Sequence, residues 1–383
     1  MKAIPYSRQE ISKEDIASVV RVLKSKYITQ GPEVKIFEKK IAQYLKVKYS
    51  VAVNSATSAL HIACLSLGLK KNDIVWTTPN TFVASSNCAL MCGAKIDFVD
   101  IDGDSLNICL KNLEKKLIYA KKINKLPKIL IIVHYAGNPC ELKSINFLKK
   151  KYKFKIIEDA SHALGAIYDK KKIGYGKFTD IAVFSFHPVK MITTGEGGIA
   201  VTNKLSYYEL LKVYRDHGIK RGINKKKKWM FDQKFLGFNY RLTDIQSALG
   251  TSQLKKIDNW VVKRNKIALR YKKKLSGLPI NFQKIEKKNI SSFHLFVIIV
   301  DPNRTKVSRN EIFNKLIKNR IMVNIHYIPI YRHSYYANMG FDKKKFPNCE
   351  FFFKNTISIP IFPSLKNIDQ DRVIDIIKSS FKN

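Results

Sequence analysis

Short apolar runs alternate with amphipathic segments along the first two thirds of the chain. The runs are rich in β-branched and aromatic residues and are too short for helices, which predicts buried strands. The predicted strands are Tyr49 to Val53, Ile74 to Thr77, Ile96 to Val99, Ile129 to His134, Lys155 to Ile157 and Ile181 to Phe186. Because helical segments follow most of them, the pattern predicts an α/β fold with a mainly parallel sheet. Ligands of such sheets bind at the carboxyl ends of the strands.

The last third of the chain has a different pattern. One long helix is predicted from about Asp244 to Leu275, and Leu278-Pro279 ends it. Shorter elements beyond it predict a small α+β domain, with strands near His294 to Val300, Ile321 to Asn324 and Ile357 to Ile359 and helices near Arg309 to Lys318 and Asp369 to Phe381. We therefore predict a large domain over residues 1–250, and the connecting helix with the small domain over residues 251–383.

The composition is that of an ordinary globular protein, since 45% of the 383 residues are apolar and 11% are aromatic. No apolar run reaches the ~20 residues that a membrane helix needs, and the first residues lack the apolar core of a signal peptide. We therefore expect a cytoplasmic protein. The six cysteines form no C-x-x-C pair and no ligand set with histidine, which favours reduced thiols and no bound metal.

The formal net charge of +40 is the one extreme number in the composition. Such a charge is typical of proteins that bind nucleic acid or membrane surfaces. The lysines are nevertheless spread in short runs along the whole chain, and the densest run, Lys225 to Lys228, is typical of a solvated loop. The charge therefore favours an anionic substrate such as a nucleotide sugar, without a specific nucleic-acid partner.

One lysine has an unusual setting, in the segment from Asp180 to Gly198. Lys190 follows a predicted core strand and precedes three glycines of a tight turn. Most lysines are solvated surface cations. A lysine held beside a core strand is partly desolvated, which lowers its pKa and produces the nucleophilic amine that forms Schiff bases. Ser185 and His187 flank it with donors that suit an anion.

The sequence of this segment, S-F-H-P-x-K-x-I-T-T-G-E-G-G, resembles the Schiff-base segment of pyridoxal-phosphate (PLP) sugar aminotransferases of the DegT or StrS type. The resemblance extends from Tyr6 to the last helix. It implies PLP fold type I, with a large domain like that of aspartate aminotransferase and a small C-terminal domain. It also implies that Lys190 is the catalytic residue and that it binds the cofactor PLP.

Further motifs match the family's cofactor contacts. Asn54-Ser55-Ala56-Thr57 forms a strand-to-helix turn, which in most proteins only caps a helix, and in the resemblance receives the cofactor phosphate. Phe82 matches the aromatic residue that stacks on the pyridine ring. Asp159 matches the carboxylate that pairs with the pyridine nitrogen, where a negative charge keeps the ring protonated and electron-withdrawing. The remaining matches are His162, at the position contacting the phenolic oxygen where most relatives have Gln, and Ser185.

Other matches concern the substrate and a second subunit. The segment Leu236 to Gln246 resembles the family's G-x-N-x-R-x-x-x-x-Q motif, whose Asn reaches the phosphate in the partner subunit. Asn239 therefore implies a homodimer with shared active sites. The residues that match positions around the sugar nucleotide or its cofactor adduct are Tyr6, Lys26, Tyr27, Ile28, Thr29, Asn324, Ile325, His326 and Tyr327.

Several segments, among them His326-Tyr327-x-Pro329-Ile330-Tyr331, look like the branch of the family that acts in bacterial pseudaminic acid synthesis. That branch transfers an amino group from L-glutamate to C4 of a UDP-linked 4-keto-6-deoxy-N-acetylhexosamine, giving UDP-4-amino-4,6-dideoxy-N-acetyl-β-L-altrosamine. Another 4-keto sugar nucleotide is the closest alternative. A related dehydratase has His in place of the Schiff-base lysine, so Lys190 argues against it. A basic nucleic-acid-binding protein with an inactive PLP fold would bind polyanions without a cofactor chromophore.

Overall fold

We analysed a computed structural model of the chain, which describes residues 2–222 and 229–382. The lysine run Lys225 to Lys228 lies outside the described residues. The α-helices of the described parts are α1 (Lys13–Leu23), α2 (Pro32–Leu45), α3 (Ala56–Ser66), α4 (Ala84–Met91), α5 (Leu110–Lys122), α6 (Leu142–Tyr152), α7 (Leu205–Arg215), α8 (Asp244–Leu254), α9 (Ile257–Lys274), α10 (Arg309–Lys318), α11 (Ser334–Ala337), α12 (Pro347–Asn355) and α13 (Asn367–Ser379). The strands are β1 (Tyr49–Val53), β2 (Ile74–Thr77), β3 (Lys95–Phe98), β4 (Ile129–Val133), β5 (Lys155–Asp159), β6 (Ile167–Tyr168), β7 (Lys171–Lys172), β8 (Ile181–Ser185), β9 (Gly198–Thr202), β10 (Ile219–Arg221), β11 (Phe231–Gln233), β12 (Ile280–Phe282), β13 (Phe296–Val300) and β14 (Thr356–Ile359). Short 3-10 turns occupy Tyr135–Gly137, Ile330–Arg332 and Lys343–Lys345.

A seven-stranded sheet in the order β1-β9-β8-β5-β4-β2-β3 forms the centre of the molecule. Only β9 among these strands runs antiparallel to its neighbours. It follows β8 through a short connection without a crossover helix, and such a connection can only join antiparallel strands. The predicted α/β fold with a mainly parallel sheet is therefore confirmed, and Asp159 and Ser185 end adjacent parallel strands at the same edge of the sheet.

Helices cover both faces of this sheet. In β4, Leu130 and Ile132 pack into one apolar cluster with α2, α5 and α6, whereas Ile129 and Ile131 pack into the other with α3 and α4. Consecutive residues of a strand point to opposite faces, so an uninterrupted apolar run is what a strand buried on both faces requires. All five residues of β4 are accordingly buried.

A third apolar cluster lies under the antiparallel sheet β12-β13-β14 and includes side chains of α10 and α13. Helix α9 contributes to two clusters. Ile257 and Trp260 from its first half pack into the core of the seven-stranded sheet, and Ile267 and Tyr271 from its second half pack under the small sheet. The domain limits of 1–250 and 251–383 stay a prediction, since one helix connects both cores.

Two predicted elements differ from the structure. The helix expected from Asp244 to Leu275 is divided at Lys255 and Lys256 into α8 and α9. The Lys256 ammonium lies 3.2 Å from the Asp15 carboxylate on α1. This ion pair connects the junction between α8 and α9 to the N-terminal helix. The strand expected from Ile321 to Asn324 does not form. Ile321 and Asn324 instead make isolated β-bridges, to Ile4 and Ser358 respectively.

The six cysteines, all within the described parts, are unpaired. No group of three or more His, Cys, Asp or Glu side chains in residues 2–222 and 229–382 could hold a metal ion. Over the same ranges, no helix is long and apolar enough to cross a membrane.

Candidate active site

A cavity of about 730 Å³ opens at the carboxyl ends of the parallel strands. It is bounded by the sheet edge, the N-terminal ends of α3 and α4, and the loop that precedes the 3-10 turn at Ile330. Most of the predicted site residues line it: Tyr6, Ser55, Ala56, Thr57, Phe82, Asp159, His162, Ser185, Lys190, Asn324, Ile325, His326 and Tyr327. Residues far apart in sequence thus meet in one place because each follows a strand of the same sheet or a loop packed on it.

Lys190 lies in the connection between β8 and β9. Its backbone N–H donates to the His187 carbonyl at 2.9 Å, which holds a tight turn at the end of β8. Burial lowers the pKa of Lys190 to about 8, while the nearby Asp159 carboxylate acts in the opposite direction. A lysine with this pKa has a substantial neutral fraction near neutral pH and can act as a nucleophile.

The Asp159 carboxylate is oriented by donors on two elements. Ser85, on α4, donates a 2.6 Å hydrogen bond to Oδ2, and the Ser161 N–H donates to Oδ1 at 3.1 Å. The Ser85 hydroxyl in turn lies 2.9 Å from the Thr81 hydroxyl. Asp159 is 6% exposed, and these donors fix the direction of its carboxylate at the end of β5.

The N-terminus of α3 forms one wall of the cavity. Ser55 caps the helix by accepting from the Ser58 N–H at 3.1 Å, whereas the N–H groups of Ala56 and Thr57 have no intrahelical partner. Free N–H groups and the helix dipole make this turn suitable for an anion. Gly198 at the start of β9 packs directly below it, because a Cβ atom there would lie 2.5 Å from the Ala56 nitrogen.

Three buried histidines line the cavity on the side opposite the N-terminus of α3. Burial and the charge of Lys190 lower the pKa values of His162, His294 and His326, so all three are neutral. The ring centroids of His162 and His294 lie 4.4 Å apart. His326 Nδ1 lies 2.8 Å from the Ser358 hydroxyl. Among the described lining residues, Lys190 is the only Lys or Arg.

Five predicted residues lie outside this cavity. Lys26, Tyr27, Ile28 and Thr29 precede α2, Asn239 precedes α8, and all of them are exposed. The two segments contact each other, because the Asp244 N–H donates to the Ile28 carbonyl at 3.0 Å and the Asp244 carboxylate accepts from the Gly31 N–H at 2.7 Å. The loop before α2 and the start of α8 therefore contact each other, and the five residues are exposed on a surface separate from the cavity.

A second opening of about 750 Å³ lies between α2 and α7. Its two carboxylates, Glu38 and Asp216, are paired with Arg215 and Arg241 at 2.6 and 2.5 Å. Lysines make up much of the remaining wall. Among its described lining residues, this second opening has no buried lysine next to a carboxylate that is free of an ion pair. We therefore assign the catalytic chemistry to the cavity at the ends of the parallel strands.

Comparison with known proteins identifies the family of the chain. Residues 9–378 match the DegT/DnrJ/EryC1/StrS aminotransferase family. A UDP-4-amino-4,6-dideoxy-N-acetyl-beta-L-altrosamine transaminase of Campylobacter jejuni is 40% identical over 98% of this chain and 97% of its own length. The chain belongs to the DegT/DnrJ/EryC1/StrS aminotransferase family.

Solved aminotransferase structures have the same fold. Helicobacter pylori PseC, an aminotransferase involved in the biosynthesis of pseudoaminic acid, superposes with a TM-score of 0.90 at 34% identity and covers 99% of both chains. The PLP form of the sugar aminotransferase Spr1654 from Streptococcus pneumoniae has a TM-score of 0.89 at 28% identity, over 99% of this chain and 98% of its own. The protein is accordingly a PLP-dependent aminotransferase of fold type I.

Sequence reasoning missed several residues of the aminotransferase cavity. Thr81 lines the cavity just before α4, and Ser85, on the first turn of α4, supports Asp159. Both belong to the matched stretch around Phe82, and their separation of four residues could have indicated a shared partner. His294 gave no such indication, since a histidine entering a predicted strand is usually a core residue. Its contact with His162 depends on how the small sheet packs against the large one.

The pKa of Lys190 predicts how this aminotransferase takes up its cofactor. Below a pKa of about 8 the neutral amine decreases tenfold per pH unit. We therefore expect the initial rate of PLP uptake by the cofactor-free protein to rise roughly tenfold per unit up to about pH 8 and to level off above it. Stopped-flow absorbance at a fixed PLP concentration measures this rate, with free lysine and PLP as the reference reaction. A rate that keeps rising through about pH 10, as for free lysine, would show that Lys190 is not desolvated.

Proposed function

We propose that the protein transfers the amino group of L-glutamate to C4 of a UDP-linked 4-keto-6-deoxy-N-acetylhexosamine and so makes UDP-4-amino-4,6-dideoxy-N-acetyl-β-L-altrosamine for pseudaminic acid synthesis. The observation that carries the chemistry is the desolvated Lys190 amine in one cavity with the oriented Asp159 carboxylate. The substrate is supported by the printed names of the Campylobacter relative and of Helicobacter PseC.

The residues of the cavity fit PLP in three respects. The Lys190 amine has no hydrogen-bonded side chain among the described residues, so it is available to bind the cofactor aldehyde. The N–H groups of Ala56 and Thr57 are free at a helix N-terminus, with Ser55 and Ser185 beside them, and they would hold the phosphate. Asp159 would hold the pyridine nitrogen, and the exposed ring of Phe82 offers a flat apolar surface for the pyridine ring.

PLP supplies the electron sink that stabilises negative charge at the substrate carbon. The residues of the chain transfer protons and position a carboxylate next to the cofactor. Lys190 Nζ removes the α-proton of glutamate in the first half of the reaction and delivers a proton to C4 of the sugar in the second. Asp159 would hold the pyridine nitrogen in both halves, and Ser85 and Thr81 fix the direction of its carboxylate.

The substrate residues form two groups. Tyr6 and the segment Asn324 to Tyr327 line the cavity, while Lys26 to Thr29 and Asn239 lie on the separate exposed surface. In our proposal a second copy of the chain brings that surface over the cavity, so that Asn239 reaches the phosphate and Lys26 to Thr29 reach the sugar nucleotide. A homodimer with shared sites also supplies cations that the cavity of a single chain lacks.

An absorption spectrum of the purified protein tests this function. We expect a visible band of the lysine-bound cofactor, which L-glutamate replaces by a near-ultraviolet band. Adding the UDP-4-keto-6-deoxy-N-acetylhexosamine should then restore the visible band, and UDP-N-acetylglucosamine, which has no carbonyl at C4, should not. If only a different 4-keto sugar nucleotide restores the visible band, that compound is the substrate, and the proposed amino-group transfer still stands.

Other outcomes would contradict the proposal. A protein that shows no band after incubation with PLP, and instead binds polyanions with strong salt dependence, would be an inactive relative with a binding role. Loss of a ring hydroxyl from the 4-keto sugar as water, without amination at C4, would indicate a dehydratase. The cytoplasmic location expected from the sequence remains part of this proposal and is tested by cell fractionation.

A further inference from the structure

Three of the six cysteines form a cluster between α3 and α4. Cys64 lies on α3, Cys88 lies on α4, and Cys92 directly follows the last residue of α4. The sulfur atoms of Cys64 and Cys88 are 3.8 Å apart, and the Cys92 thiol donates to the Cys88 carbonyl at 3.3 Å. The thiols of Cys64 and Cys92 also hydrogen-bond to each other. The packing of α3 on α4 thus brings three free thiols together, outside the lining of the catalytic cavity.

The three thiols differ in their access to solvent. Cys64 and Cys88 are fully buried, whereas Cys92 is partly exposed. A small oxidant in solution therefore reaches the Cys92 sulfur first. Cys64 then lies behind it as a second thiol within contact distance, which is the arrangement that converts an oxidised cysteine into a disulfide.

Cys92 is also the thiol of the cluster that ionises most readily. Hydrogen bonds with the Cys64 thiol and the His61 ring lower its pKa, although its partial burial acts in the opposite direction. His61 Nδ1 lies 3.2 Å from the Tyr240 hydroxyl, which leaves Nε2 for the Cys92 thiol. Contacts with Cys88 and Cys92, together with burial, raise the pKa of Cys64, so that thiol keeps its proton. The thiolate is the form that attacks peroxides, and Cys92 supplies it.

We propose that this cluster is an oxidation site, in which a hydroperoxide oxidises Cys92 and Cys64 then closes a disulfide that joins α4 to α3. The Cys92 thiolate first attacks the peroxide, so that a sulfur–oxygen bond forms, the oxygen–oxygen bond breaks and hydroxide leaves. The Cys64 sulfur then attacks the Cys92 sulfur, and the hydroxyl group of the sulfenic acid leaves as water with the Cys64 proton. With hydrogen peroxide, two thiols and one peroxide give one disulfide and two water molecules, and two electrons pass to the peroxide.

The disulfide acts on the cofactor site through the two helices that it joins. The N-terminus of α3 carries the free N–H groups of Ala56 and Thr57, and the first turn of α4 carries Ser85, which holds Asp159. A disulfide brings its sulfur atoms to about 2.05 Å, closer than any non-bonded contact, so α3 and α4 must shift within a densely packed core. This part of the inference rests on the proposed PLP site. We expect oxidation to slow the glutamate half-reaction by roughly tenfold.

Treatment of the purified holoenzyme with hydrogen peroxide tests the oxidation site. Mass spectrometry of the intact protein should show the loss of two hydrogen atoms, and peptide mapping should show a bond between the α3 and α4 peptides that contain Cys64 and Cys92. Rapid-mixing absorbance with L-glutamate measures the half-reaction before and after oxidation. Dithiothreitol should remove the disulfide and restore the original rate.

Variants of single cysteines separate the roles of the thiols. Cys92→Ser should slow disulfide formation by at least about tenfold and should keep its half-reaction rate after peroxide treatment. Cys64→Ser should stop at a sulfenic acid on Cys92, which dimedone labels. Cys88→Ser should form the same disulfide as the wild-type protein. Cys109→Ser is the matched control, because Cys109 is also partly exposed and lies outside the cluster.

Each part of the inference has an outcome that overturns it. A bond between Cys64 and Cys88 in the oxidised wild-type protein, or an unchanged rate of oxidation in Cys92→Ser, overturns the role of Cys92. If Cys92→Ser fails to fold, the peptide map of the wild-type protein still decides which thiols are joined. A disulfide that forms without slowing the half-reaction overturns the effect on the cofactor site. A reduced protein without a visible band contradicts the proposed function, whereas the disulfide is detected independently of it.

Discussion

Lys190→Ala is expected to reduce transamination by roughly four orders of magnitude or more, since it removes both the cofactor link and the proton carrier. The visible absorption band should disappear as well. The substitution removes a desolvated amine and no hydrogen bond of its side chain, so the thermal unfolding midpoint of the cofactor-free protein should not fall. Steady-state assays with L-glutamate and the 4-keto sugar, together with circular dichroism, measure the two effects. Turnover within about tenfold of wild type would refute the role of Lys190.

The same variant tests whether sites are shared between subunits. Each proposed site combines Lys190 of one chain with Asn239 of the other. Co-expression of Lys190→Ala with Asn239→Ala chains then produces mixed dimers with one intact site and one doubly defective site. Activity well above that of either variant alone is expected, and the absence of recovery would show that the two residues act within one chain.

Asp159→Ala is expected to lower the turnover rate by two to three orders of magnitude, roughly, because the cofactor ring loses the charge that keeps it electron-withdrawing. The variant also leaves the Ser85 hydroxyl and the Ser161 N–H without their acceptor, at a cost of about 1–3 kcal/mol in the free energy of unfolding.

Asp159→Asn separates these two effects. It retains an acceptor for Ser161 and removes the charge, so its rate should fall nearly as far while its stability stays close to wild type. Rapid-mixing measurement of the glutamate half-reaction and thermal unfolding provide the comparison, with the exposed Asp104→Asn as the matched control. A near-normal rate in Asp159→Asn would show that the electron-sink argument is misplaced.

Much of the fold follows from local patterns in the sequence. Apolar runs such as Ile129 to Val133 have no polar alternation, and this pattern occurs where helices cover both faces of a sheet. The same patterns place Asp159 and Lys190 at strand ends, and the motif around Lys190 identified the chemistry. These features depend on neighbours within a few residues along the chain.

Other features depend on long-range packing and were not predictable. The break between α8 and α9 occurs at two lysines, without a glycine or proline, and its partner Asp15 is remote in sequence. The contact of His162 with Tyr327 joins residues that are 165 positions apart in the sequence. The support of Asp159 by Ser85 likewise requires that α4 packs beside β5. Such contacts cannot be read from spacing along a single chain.

The hydrogen bonds of Asp244 limit how the loops before α2 and α8 can be exchanged between relatives. Its carboxylate accepts from the Gly31 N–H at 2.7 Å, and a Cβ atom at Gly31 would lie 2.9 Å from the same carboxylate. The loop before α2 and the loop before α8 therefore fit each other as a matched pair. Grafting one loop from a relative with a different sugar would displace the other loop with it. Chimeras that alter sugar preference should exchange the two loops together and leave Asp244 in place.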